Sequence, residues 1–203
     1  MRFAHGLIAS LALLLAGTAF AASQRDIEDC IWVRGDSIAA CTRVIRDKSE
    51  STLRRRIAYE CRGLAYRHRG DLGRAIADYT AAIRLAPASA TAYEDRGNAF
   101  RDRGELDRAI ADYDVAIRLE WKIHSAYKNR GRAYFGKKDY DQAAADFAAA
   151  TWLFLSDEEA FYLLGIAELA RDNRESAIEA FREALTLGSV EAHTKLRELG
   201  ATP

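Results

Sequence analysis

Apolar and small residues recur at helical spacing along most of this chain, stop at a short polar turn, and then recur again. One such stretch is 63–87, GLAYRHRGDLGRAIADYTAAIRLAP, and the chain repeats it at a fixed interval. A step of 34 residues from Gly63 lands on Gly97, Gly131 and Gly165, and from Ala75 on Ala109, Ala143 and Ala177. The same step links Tyr79, Tyr113, Phe147 and Phe181, and likewise Leu85, Leu119, Leu153 and Leu187. A self-similar period of this length predicts stacked supersecondary units that present an extended surface.

Each unit predicts two helices and a turn, the turn in the first unit being Arg69-Gly70-Asp71. Counting from Arg56 as position 1, the first helix keeps an aromatic at position 4, Gly at 8 and usually an aromatic at 11. At about 100° per residue these three share a narrow arc and form a buried stripe. The second helix keeps Ala at 20, a ring at 24, Ala at 27 and Leu at 30, which is another inward face. Gly at 8 opposite Ala at 20 predicts a close approach of two antiparallel helices, with the ring at 24 filling the space beside them.

On these residues the chain resembles the tetratricopeptide repeat family, in copies 56–89, 90–123, 124–157 and 158–191. The resemblance implies an all-α, right-handed superhelical solenoid of antiparallel helix hairpins. Some positions depart from the family pattern. Its Pro at position 32 appears only as Pro87, and the Leu usual at position 7 is Arg62, Arg96 and Arg130 before returning as Leu164. Glu168 replaces the aromatic at position 11 of the fourth copy.

Outside the copies, residues 1–21 read as a secretory signal. Arg2 and His5 precede an apolar core from Leu7 to Leu15, and Ala19-Phe20-Ala21 is a small-x-small cleavage site. The expected product begins near Ala22, is exported to a periplasmic or extracellular compartment, and keeps no inserted membrane anchor. Residues 22–55 hold a partial repeat or N-terminal cap, in which Ile27, Cys30 and Ile31 form an apolar face, Gly35-Asp36 breaks it, and 37–45 echo 75–83. Val190, His193, Leu196 and Leu199 keep helical spacing within 189–203, which predicts a C-terminal capping helix and tail.

Cys30 and Cys41 lie at similar heights on the two predicted N-terminal helices, so a disulfide between them is geometrically reasonable. It would add about 2 to 3 kcal/mol to a terminal unit in an oxidising compartment. Cys61, on the next helix, is the competing partner for Cys41. The 30 Lys and Arg balance the 30 Asp and Glu, which is a poor footprint for nucleic acid. The charge is unevenly placed. Seven Arg fall within 51–74, and nine acids within 157–191. That distribution allows a salt-sensitive head-to-tail self-association, with a solvated charged face as the alternative.

No phosphate loop, zinc-binding helix, nucleophile elbow or dinucleotide fingerprint occurs, so the expectation is a non-enzymatic protein without cofactor or metal. The expected function is an exported scaffold that binds a peptide or protein segment. An envelope assembly component is the alternative, and a hydrolase of envelope polymers the residual one. Positions 5, 9 and 12, which line the concave surface in the resembled family, select Glu94, Asn98, Arg101, Lys128, Arg132, Phe135, Tyr162 and Ile166. Some family members clamp a C-terminal carboxylate with cations and Asn. Here Glu94 and Glu159 stand where cations are required, which argues against that chaperone-tail ligand.

A second candidate surface comes from broken repeats. Position 29 is Arg84, Arg118 and then Trp152, and position 31 is Ala86, Glu120 and then Phe154. With Trp121, these rings either form an outer apolar ridge or lie beneath an irregular fourth repeat.

Overall fold

A computed structural model describes residues 24–30 and 37–201. The predicted signal segment and the Gly35-Asp36 break lie outside the described residues. Among the described residues every regular element is an α-helix. The chain divides into two compact units, residues 1–87 and 88–203.

In the first unit, a helical segment at 24–30 precedes α1 (Ser37–Arg46), α2 (Thr52–His68) and α3 (Leu72–Leu85). Cys30 and Cys41 are joined by a disulfide, with their Cα atoms 4.9 Å apart. The bridge sits in a core with Ala40, Val44 and Ala58, against which Ile27, Ile45 and Cys61 pack. Cys61 is half-buried and takes no part in the disulfide.

The second unit holds α4 (Ala90–Asp102), α5 (Leu106–Leu119), α6 (His124–Gly136), α7 (Tyr140–Leu153), α8 (Glu158–Ala170), α9 (Arg174–Thr186) and α10 (Val190–Glu198). In each unit, helices adjacent in sequence pack on one another. Helix ends are written locally: Ser51, Asp71, Ser89, Asp139, Asp157 and Ser189 each cap a helix by accepting a backbone N–H three residues on.

The rings at position 24 set how closely each hairpin closes. Tyr79, Tyr113, Phe147 and Phe181 are fully buried. A Cβ placed on Gly63, Gly97, Gly131 or Gly165 would lie 2.9, 2.7, 2.8 and 2.5 Å from the ring of its own copy, inside contact distance. Only glycine admits the ring at this separation. The C-terminal helix α10 differs from the sequence expectation in its inward face. It buries Ala192 and Leu196 against Phe181, whereas Val190 is exposed in the first turn.

Each hairpin turns through a left-handed residue at position 15. Gly70 and Gly104 supply it in the first two copies, but Lys138 (φ 64°) and Asp172 (φ 62°) occupy it in the last two. A side chain in this conformation is strained in a way glycine is not. Lys138→Gly is therefore expected to raise stability by about 1 kcal/mol in urea unfolding, and Gly104→Lys to lower it by a similar amount.

Candidate functional site: a neutralised polar face

The first helices of the second unit, α4, α6 and α8, are joined by mostly half-buried polar side chains. Glu94 accepts from Ser125 (3.0 Å) and from the Asn129 amide (3.0 Å). The Asn129 carbonyl oxygen accepts in turn from Arg101 (2.8 Å) and Arg132 (3.1 Å). Arg132 also pairs with Glu159. Lys128 reaches both Glu159 (3.1 Å) and Asp157 (2.7 Å), the latter being the residue that caps α8.

Burial alone would raise the carboxyl pKa of Glu159, but hydrogen bonds from Arg132 and Lys128 outweigh it and hold the group below the ordinary glutamate range. Its contribution is therefore intact above that range and is lost only as pH falls through the lowered value. Lys128 is 15% exposed and Glu159 58%, so the cation is enclosed while its carboxylate partner faces water.

Glu94, Arg101, Lys128 and Arg132 thus belong to one network. Asn98 does not, because it is buried and its Oδ1 accepts from the Tyr113 hydroxyl (2.9 Å) inside its own hairpin. Phe135 packs on the core around Ala143 and Phe147 and meets the Tyr140 ring edge-on at 5.1 Å. Tyr162 and Ile166 pack against the cluster of Ala177, Phe181 and Leu196. Phe135, Tyr162 and Ile166 are all partly buried.

A second set of charges lies between the helices of the first three hairpins. Arg62, Arg96 and Arg130, at position 7, each form two hydrogen bonds to a carboxylate at position 23: Asp78 (2.8 and 2.8 Å), Asp112 (2.7 and 2.7 Å) and Asp146 (2.8 and 2.7 Å). The rings at positions 4 and 11 flank each guanidinium at 5.5 to 6.0 Å. The hydrogen bond to the Asp raises Arg62 and Arg96 above the usual arginine value against the effect of burial.

In the fourth copy both members change together, to Leu164 and Ala180, and Glu168 at position 11 is held instead by Arg171 and Asn173. Position 7 was legible in the sequence as a departure. Its partner was missed, although Asp78, Asp112 and Asp146 recur at the same 34-residue step and lapse where the Arg lapses.

A tetratricopeptide repeat family model matches residues 53–122 and 128–192. The chain belongs to the tetratricopeptide repeat family. Among solved structures, a crystal structure of MamA protein is similar at a TM-score of 0.69 and 21% identity, covering 90% of this chain and 97% of that one. The Arabidopsis OM64 TPR domain is similar at 0.56 and 28%, covering 59% and 98%. The first TPR of Spaghetti (RPAP3), bound to the HSP90 peptide SRMEEVD, is similar at 0.56 and 23%, covering 58% and 93%. No curated protein matches the chain.

Tetratricopeptide repeat proteins are typically non-catalytic scaffolds. Among the described residues, no group of three His, Cys, Asp or Glu side chains is arranged to hold a metal. No helix among them is long and apolar enough to cross a membrane.

The paired Arg and Asp positions predict a specific energetic pattern. Arg96→Leu leaves Asp112 buried without its partner, at an expected cost of about 3 to 5 kcal/mol. The double variant Arg96→Leu/Asp112→Ala, which copies Leu164 and Ala180, is expected to recover most of that loss in denaturant unfolding.

Proposed function

We propose that the chain is an exported, non-catalytic scaffold whose inner face in the second unit binds an extended protein or peptide segment. The observation that carries this reading is the linked polar surface of Lys128, Arg132 and Glu159 on neighbouring first helices of a tetratricopeptide repeat protein. Solved relatives support binding of peptides as a class of function, since one of them holds an HSP90 peptide. The export part rests on the signal-like residues 1–21, and the Cys30–Cys41 disulfide supports it, because such bridges persist in oxidising compartments.

The chemistry of the ligand follows from which groups can exchange. Lys128 and Arg132 are already neutralised, so an acidic group on the ligand must take the place of the exposed Glu159 carboxylate. Binding would then trade one ion pair for another at little net electrostatic gain. Backbone hydrogen bonding to Asn129 and Arg101, together with an apolar anchor near Phe135 and Tyr162, would supply the remainder. Glu94 and Glu159 continue to oppose a carboxylate-clamped chaperone tail.

Affinity capture from an envelope extract, read by mass spectrometry, tests this. Lys128→Glu/Arg132→Glu is expected to abolish capture with helicity unchanged, and unchanged capture would dismiss the inner face. Glu159→Gln, which releases Arg132 from its carboxylate while Lys128 keeps Asp157, is expected to strengthen retention of acidic segments severalfold, on the order of 1 kcal/mol.

A further inference from the structure

The second unit exposes large apolar side chains at its inter-repeat turns. Trp152 is 70% exposed, Leu155 71%, Trp121 56%, Phe154 47% and Leu119 41%. The fourth repeat therefore does not cover the rings. The two turns form one patch, because the His124 ring, three residues beyond Trp121, lies 4.9 Å from the Phe154 ring. Position 29 is an exposed Arg in the earlier copies, so Trp152 is not required to close the hairpin.

The size of the patch indicates what can cover it. At roughly 150 to 250 Å² per aromatic side chain, the five residues leave on the order of 600 Å² of apolar surface in water. That is the upper end of what a monomeric protein tolerates in one patch. With a polar rim it approaches the roughly 800 Å² that each partner contributes to a stable protein interface.

The rim indicates the partner. Arg118, Glu120 and Lys122 alternate in sign along the edge and are exposed, with Glu158 half-buried beside the second turn. None of the four makes an ion pair among the described residues, although charges elsewhere in the unit are extensively paired. A lipid surface or a strongly charged partner would favour a rim of one sign. A rim carrying both signs is complementary to itself under a two-fold axis, where each residue meets its counterpart's neighbour.

We infer that this edge is the interface of a two-fold homodimer, with Trp121, Trp152, Phe154 and Leu155 at its centre, Lys122 of one copy facing Glu120 of the other, and Arg118 facing Glu158. This goes beyond the peptide-binding reading and does not depend on it, because none of these residues belongs to the inner-face network.

Sedimentation velocity of the purified full chain tests the inference. The expected result is a concentration-dependent dimer that persists or strengthens as salt is raised, as an apolar centre requires. Trp152→Arg restores the repeat pattern and is expected to weaken dimerisation at least roughly tenfold with the unfolding midpoint unchanged. Lys122→Glu is expected to weaken it less, and Glu120→Lys/Lys122→Glu to restore it. Four results would overturn the inference: a wild-type chain that stays monomeric at high concentration, a dimer indifferent to Trp152→Arg, a dimer dissolved by salt, or a monomer that co-sediments with phosphatidylcholine–phosphatidylglycerol vesicles. Loss of capture in the Lys128→Glu/Arg132→Glu variant with dimerisation intact separates this surface from the inner face.

Discussion

The close contact between the glycine at position 8 and the ring at position 24 is the constraint from which the rest of each hairpin follows. Four buried rings occupy the space that a single methyl group would claim. Removing the Cβ lets the ring lie against backbone, which brings the two helices within reach of each other's shorter side chains. At that separation an Arg at position 7 spans to an Asp at position 23 with both hydrogen bonds made. The paired charges do not drive the approach. A buried pair roughly offsets its own desolvation, and its larger effect is to penalise any register in which one member is left alone.

The repeat and the buried rings at position 24 were legible in the sequence because they depend only on periodicity along one chain, whereas the Leu at position 30, expected inward, is exposed as Leu119 and Leu187. The disulfide was legible for a related reason, since the heights of Cys30 and Cys41 on two antiparallel helices follow from turn length. What the sequence did not reveal was which groups meet across helices. The Asp at position 23 looked like an ordinary polar position, yet its carboxylate is buried against Arg. Asn98 lies next to the inward stripe on a helical wheel, but the Tyr113 hydroxyl draws it into the hairpin. Lys128 and Arg132 read as available cations because their partners, Asp157 and Glu159, sit at the cap and in the first turn of α8, 29 and 27 residues away. Val190 fits the apolar spacing of the last helix, but it sits in the first turn, and the buried positions are Ala192 and Leu196.

The second unit thus keeps two surfaces of different chemistry on one framework. The polar face across α4, α6 and α8 is internally balanced, so a ligand binding there would have to exchange partners, and its binding would depend on hydrogen-bond geometry more than on net charge. Its inter-repeat edge is apolar with a rim of both signs, so any association there would be driven by removal of surface from water. The residues of both surfaces occupy positions that the glycine–ring contact leaves free. This is how a repeat of fixed interior carries variable exteriors.

The contact is tested most directly by a double-mutant cycle between Gly165 and Phe181, where a new Cβ would lie 2.5 Å from the ring. Gly165→Ala alone is expected to cost about 1 to 3 kcal/mol in denaturant unfolding, because the ring has no room to retreat. In the Phe181→Leu background, where the ring is gone, the same substitution is expected to cost little or to stabilise, since Ala favours helix over Gly by about 1 kcal/mol. An equal cost in both backgrounds would show that the glycine is not reserved for the ring and would contradict the account.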